Sequence, residues 1–228
     1  MELITIHKIS GVILLQSGLH IGAGKDAVEI GGLDNPIVKN PLNNAPYIPG
    51  SSLKGKMRSL LEARLMGERP ETRKSLEKGK PCQCGKAGCP ICVIFGVSGS
   101  VSTEGNLGPT RLLVRDSLLA PEDLELFKKG ELPMEIKYEN SIDRRTGVAN
   151  PRPLERVPAG VKFAFNLGFR VYKGDKEDLL DWLFKGMRMV ELDALGGSGS
   201  RGCGEVRFLD IHVDEQLRYE NLDGIKIF

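Results

Sequence analysis

Between Val161 and Val171 every second residue is apolar: Val161, Phe163, Phe165, Leu167, Phe169 and Val171 alternate with Lys162, Ala164, Asn166, Gly168 and Arg170. Strict period 2 over such a stretch fits one half-buried strand and excludes a helix, whose apolar positions recur at three and four. A sheet with one covered face is required, and something must cover it. Two segments have the matching period. Leu53, Met57, Leu60, Leu61 and Leu65 share a helical face behind Ser51 or Ser52, either of which can cap the helix. Leu179, Leu180, Leu183, Met187 and Val190 share another within Lys176–Val190.

Further strands are predicted at Ile4–Leu15, with Gly11 as a bulge or bend, at Thr110–Arg115, at Met134–Tyr138 and at Glu205–Val213. A short helix begins at Pro121, with Glu122 and Asp123 in its first turn. Stripped of insertions the order is strand, helix, strand, strand, helix, strand. That is the α+β, ferredoxin-like (RRM-like) βαββαβ arrangement with large insertions. One domain over 1–228 is expected, with an inserted segment at 67–109 and a proline-bearing arm at 141–160. The strands lack the aromatic motifs with which RNA-recognition modules stack bases.

Composition limits the function classes. Glycine supplies 28 of 228 residues against a usual ~7%, with no Gly-X-Y period, so the excess belongs in loops. The longest apolar runs, such as Val12–Leu15, are far short of the ~20 residues of a membrane helix. Glu2, His7 and Lys8 stand where a secretory signal has its apolar stretch. A soluble cytoplasmic protein with no membrane partner is expected. The net charge of +2 conceals a partition: residues 51–90 hold ten basic and four acidic side chains, and residues 141–170 hold six and two. A local anion-binding surface fits this, and so does a solvated basic helix.

The sharpest local signal is Cys82-Gln83-Cys84 followed by Cys89-Pro90-Ile91-Cys92, two close cysteine pairs separated by Gly85 and Gly88. Four soft ligands at this spacing predict a closed structural Zn2+ site at Cys82, Cys84, Cys89 and Cys92; disulfides or free thiols are the alternatives. A second signal is the loop Gly196–Gly204, in which glycines at 196, 197, 199, 202 and 204 surround Ser198, Ser200 and Arg201. It fits backbone amides approaching phosphates and equally a flexible connection; it does not match G-x-G-x-x-G or end in the Walker lysine-serine. By spacing alone His20 and Asp34 are ordinary structural and turn residues.

Together these pieces resemble a known family. Leu19-His20-Ile21-Gly22, Leu33-Asp34-Asn35-Pro36, the run Ile48–Arg58 and the loop Gly196–Gly204 look like the signature of the RAMP proteins of CRISPR systems. The resemblance is close to the backbone subunit of the type III-A, or Csm, effector complex, and extends over most of the chain. It implies copies of the chain stacked along a CRISPR guide RNA with other Csm subunits, each cutting complementary target RNA at regular intervals. It assigns cutting to Asp34, as general base or as a ligand of Mg2+ or another divalent cation. RNA binding is carried over onto His20, Ser51, Ser52, Lys54, Arg58, Gly197, Gly199, Ser200 and Arg201, and onto Arg144 and Arg145 of an arm resembling the family's thumb. A non-catalytic scaffold of the same architecture is the competing expectation. A small-molecule enzyme with a catalytic zinc is a third, against which the four-cysteine spacing argues.

Overall fold

The computed structural model describes residues 1–24, 35–99 and 107–227. The chain opens with β1 (Leu3–Leu15) and a short β2 (Tyr47–Ile48), then the long helix α1 (Gly50–Leu65). Two short helices follow, α2 (Pro70–Glu77) and α3 (Pro90–Phe95), then β3 (Leu112–Val114), β4 (Ser117–Leu119) and α4 (Pro121–Lys128). The hairpin β5 (Glu135–Ile142) and β6 (Ala149–Arg156) leads to β7 (Lys162–Tyr172), helix α5 (Leu179–Leu192), β8 (Val206–Val213) and β9 (Gln216–Asn221).

The main sheet runs β2-β4-β7-β1-β8-β9, with β3 also on β7. All of these pairings are antiparallel. α1 carries the chain from β1 past β7 to β3 and β4, and α5 carries it from β7 past β1 to β8. Each helix thus joins two strands separated by a third, which is the expected ferredoxin-like core.

The period-2 strand behaves as its pattern requires. Phe163, Phe165, Leu167 and Phe169 are buried while Lys162, Ala164 and Asn166 are exposed. Ile9, Ile13 and Leu15 of β1 and Val206, Phe208 and Ile211 of β8 complete the covered face. α1 contributes Leu53, Met57, Leu61 and Leu65, and α5 contributes Leu183, Phe184, Met187 and Val190. Gly186 lets the helices close: a Cβ there would stand 2.9 Å from Leu61 Cδ1. Gly11 is the expected bulge, since the β1–β8 register shifts between Ser10 and Val12 and an added Cβ would lie 2.7 Å from the Leu209 carbonyl oxygen.

Several boundaries differ from the sequence reading. The strand expected at Thr110–Arg115 is present as the shorter β3, and β4 follows it without a sequence expectation; both are laid on β7. The predicted helix at Lys176–Val190 begins later, at Leu179. β2, β9, α2 and α3 had no sequence expectation. α3 is a six-residue apolar run buried at every position, and periodicity cannot separate so short a run from a strand. Residues 100–106 of the insertion expected at 67–109 lie outside the described residues, as does Asp34.

Candidate nucleic-acid interface and metal centre

The glycine loop after α5 is held in place by its own backbone. Leu195 N–H donates to the Gly204 carbonyl at 2.8 Å, Gly204 N–H to the Gly18 carbonyl at 3.0 Å, and Gly197 N–H to the His20 carbonyl at 2.8 Å. Gly196 has φ +78°, and a Cβ on it would stand 2.3 Å from His20 O. Gly204 has φ +79° and would bring a Cβ to 1.9 Å from Leu195 O. No other residue fits at either position. The apex is a 3-10 turn at Gly199–Arg201. Gly197, Ser200 and Arg201 are exposed, and Gly199 is half-buried. Of the two readings open from sequence, the structure has a fixed loop that presents its apex to solvent, not a slack connection.

His20 joins that loop to the arm. Its Nδ1 lies 2.8 Å from the Glu155 carbonyl oxygen of β6. A carbonyl only accepts, so Nδ1 carries the proton and Nε2 is left for another partner. Glu155 is itself buried, its carboxylate accepting from Ile37 N–H at 3.0 Å and from Lys39 Nζ at 2.5 Å. Asn35 lies along the same strand, with Glu155 N–H on its carbonyl and its own Nδ2 on the Pro153 carbonyl, both at 3.3 Å. Arg201 Nε donates to Glu139 of β5 at 2.8 Å and its Nη2 to Ser198 Oγ at 2.7 Å.

Not all the sequence-assigned residues gather there. Arg144 and Arg145 are exposed at the arm's tip, in a turn where Asp143 accepts the backbone N–H groups of Thr146 and Arg145, which hold its carboxyl below the usual range. Arg144 lies five positions beyond Glu139 along the chain, at most about 17 Å if the chain stays extended. At α1 the cap differs from expectation. Pro49 is the N-cap residue and no side chain caps the helix from that position; the Gly50 N–H donates instead to Asp116 Oδ1 at 2.7 Å. The reason is steric, because a Cβ on Gly50 would lie 2.5 Å from Val114 O, so α1 starts pressed against the β3–β4 connection. Ser51 is exposed and Ser52 half-buried beside that start.

Lys54 and Arg58 point inward from α1. Lys54 Nζ donates to the Leu112 carbonyl at 3.2 Å. Burial, and then the positive charges of Arg58 and Arg170, push its amine below the ordinary lysine range. Arg58 donates to Glu62 at 2.9 Å and to the Cys82 carbonyl at 2.7 Å. α1 reaches the glycine loop through a residue sequence reasoning passed over: Lys56 pairs with Asp193, at the loop's approach, at 2.8 Å.

The four clustered cysteines form the second centre. Cys82 Sγ lies 4.0 Å from both Cys89 Sγ and Cys92 Sγ, and Cys84 Sγ lies 3.6 Å from Cys92 Sγ. A tetrahedral zinc with ~2.3 Å Zn–S bonds separates its sulfurs by about 3.8 Å. The sulfurs are too far apart for disulfides, and all five cysteines are free thiols. The cluster can hold a metal ion. Three of the four are buried and Cys84 is half-buried; four thiolate ligands would leave a tetrahedral ion no open position. Thiols this close share protons: hydrogen bonds from Cys89 and Cys92 pull Cys82 down, while the Cys89 thiol is pushed up to about 12 by its bond with Cys82. A cation resolves that conflict, because thiolates are its ligands. Glu62, buried on α1, fixes the site by accepting Cys82 N–H at 2.9 Å together with Arg58. Its i,i+4 spacing from Arg58 was legible in sequence; Asp116 and Glu155, which act across the chain, had no local signal.

Known proteins resemble this chain over most of its length. The family model of the RAMP superfamily matches residues 12–207. The CRISPR system Cms endoribonuclease Csm3 of Methanothermobacter thermautotrophicus is 45% identical over 222 residues, which cover 91% of this chain and 85% of that relative. Its namesake from Streptococcus thermophilus is 39% identical over 206 residues, 88% of this chain and 86% of the relative. Among solved structures, a chain of the Csm3-Csm4 subcomplex of the type III-A CRISPR-Cas interference complex aligns at 32% identity and TM-score 0.58, over 93% of this chain and 80% of that one. Csm3 from Methanopyrus kandleri, at 23% identity and TM-score 0.62 over 91% and 77%, shares the fold. With its split βαβ core, its glycine loop seated on His20 and a family match spanning most of its length, the chain belongs to the RAMP superfamily.

Proposed function

We propose that this chain is the guide-RNA-binding backbone subunit of a type III-A CRISPR interference complex. It stacks with further copies of itself and with other Csm subunits along the guide, and acts as an endoribonuclease on complementary target RNA at regular intervals. The observation that carries this reading is one exposed face on which the glycine loop, His20 and the base of the arm are joined by hydrogen bonds, in a chain 45% identical to a Csm3 endoribonuclease over 91% of its length. Glycine-loop amides and the start of α1, with Ser51 and Ser52, offer donors to phosphates without reading bases. Such a grip suffices when guide pairing supplies the sequence specificity.

The arm, read as the family's thumb over 141–160, separates stacked bases and leaves a target phosphodiester in a geometry open to in-line attack by the 2′-hydroxyl. Asp34 would take that hydroxyl's proton as the P–O5′ bond breaks, or would hold a divalent cation such as Mg2+ that polarises the phosphate. His20 Nε2, Ser200 and Arg201 contact the backbone of the RNA, and Arg144 and Arg145 contact it at the arm's tip. Lys54 and Arg58 add positive charge near the start of α1, each with a side-chain donor already on a backbone carbonyl. The cysteine centre is a Zn2+ staple for the insertion at 67–109, within one domain spanning 1–228, in a cytoplasmic complex; among the described residues no helix is long and apolar enough to cross a membrane.

The test is Asp34→Ala in the assembled complex. Target cutting should fall by roughly 100-fold or more, the scale of a lost general base, with guide and target still bound. Unchanged cutting would exclude Asp34 and favour the non-catalytic scaffold.

A further inference from the structure

The arm is fastened to the glycine loop by ion pairs that neither RNA contact nor cutting accounts for. Glu135, Lys137 and Glu139 alternate along β5, so all three face one side of the two-stranded arm. On that side Glu139 accepts from Arg201 Nε at 2.8 Å, and Lys137 Nζ donates to the Arg201 carbonyl at 2.5 Å. Glu135 pairs with Arg156. Arg156 Nη1 in turn reaches the Gly202 carbonyl at 3.4 Å and Cys203 Sγ at 3.5 Å. The other side of the strand carries Ile136, Tyr138 and Ile142, all exposed. An exposed ion pair alone is weak. Three charged positions on one strand, meeting a loop whose glycines admit no other backbone, fix an orientation.

We propose that Lys137 and Glu139, with Glu135 and Arg156 behind them, are positioning residues: through Arg201 they set the angle at which the arm crosses the RNA and hence which phosphodiester is cut. Arg201 suits the link because its guanidinium is planar and many-handed. One edge holds Glu139 and Ser198, while Nη1, without a partner among the described residues, remains for a phosphate. A displacement of about 1 Å at the reacting centre slows a positioned reaction by roughly 100-fold, so a loosened arm should matter even when every RNA-contacting group is present. This inference rests on the reading of the chain as the subunit that cuts.

The experiment compares Lys137→Ala/Glu139→Ala with wild type in the complete complex, mapping target products at single-nucleotide resolution alongside guide and target affinity. The expected result is affinity within about twofold of wild type, cutting slowed roughly 10- to 100-fold, and products spread over neighbouring linkages. Glu139→Asp, which keeps the charge, should recover part of the wild-type product pattern where Glu139→Gln does not. An unchanged pattern and rate would overturn the proposal. So would loss of guide binding in step with cutting, which would make the pair part of the RNA grip. Absence of cutting by the wild-type complex would overturn both this inference and the nuclease reading. Asp34→Ala separates them, because it should lower the rate without moving any cut.

Discussion

The cysteine centre, against α1 and α3, and the glycine loop that follows α5 are built on opposite principles. Around the cysteines the groups are mostly buried and paired: three of four thiols are buried, Glu62 and Arg58 satisfy the Cys82 backbone, and Arg111 makes a two-point ion pair with Asp175 at 2.6 and 2.9 Å. Around the glycine loop the backbone is equally fixed, but the side chains at its apex are exposed and joined by ion pairs that water can reach. Burial makes a group's partner indispensable, whereas exposure leaves it able to exchange that partner for a ligand. A structural staple needs the first condition and an RNA groove the second. Substitutions in the buried region should therefore unfold the chain, and substitutions in the exposed region should change what it binds.

The largest effect is expected at the metal. Cys82→Ser, or removal of the ion with a chelator, should take the metal content from one per chain to near zero and melt the insertion. In small zinc domains the bound ion contributes roughly 10 kcal/mol to folding. Elemental analysis with a thermal melt checks this, and a melting curve unchanged by metal loss would erase the contrast between the two regions.

Next is Arg111→Ala. Breaking a buried ion pair typically costs about 3–5 kcal/mol, or roughly 10 °C for a domain of this size; Asp175 would keep only the Tyr172 N–H. The pH dependence should move with it. Burial raises the Asp175 carboxyl, but Arg111 and the Tyr172 amide outweigh burial and hold it below the usual range. Its contribution is fully present above the unfolded value of ~3.9 and is lost as pH falls below that through the lower folded value. Without Arg111, burial is opposed only by the Tyr172 amide, the folded value rises, and acid unfolding should begin at higher pH. Denaturant titrations across pH 3 to 6 measure both.

The smallest effects sharpen the comparison inside the glycine loop. Gly202→Ala meets nothing within 4 Å and should cost about 1 kcal/mol for its left-handed φ of +80°. Gly204→Ala combines a similar φ with a backbone collision and should cost about 2 kcal/mol or more. Equal costs would mean that the loop is less tightly seated than its hydrogen bonds require.

The sequence disclosed these two regions unevenly, for physical reasons. The four cysteines were legible because metal ligation demands particular atoms at close chain spacing. β7 and the two covering helices were legible because burial imposes a period. Arg58 illustrates what local reading misses. A cation one turn from Lys54 at the start of a serine-led helix reads as a phosphate contact, yet its guanidinium is occupied by Glu62 and Cys82, the latter 24 residues away. The pairing of Lys137 and Glu139 with Arg201 spans 62 to 64 residues and leaves no trace in either segment. Asp34 was singled out by resemblance alone, and its assignment stands with that resemblance.

Crosslinking the assembled complex to guide RNA by ultraviolet light, followed by identification of the modified peptides, tests the division most directly. Crosslinks should fall on residues 18–24 and 196–203 and spare residues 82–92. Crosslinks concentrated on the cysteine segment, with the glycine loop unmodified, would contradict it.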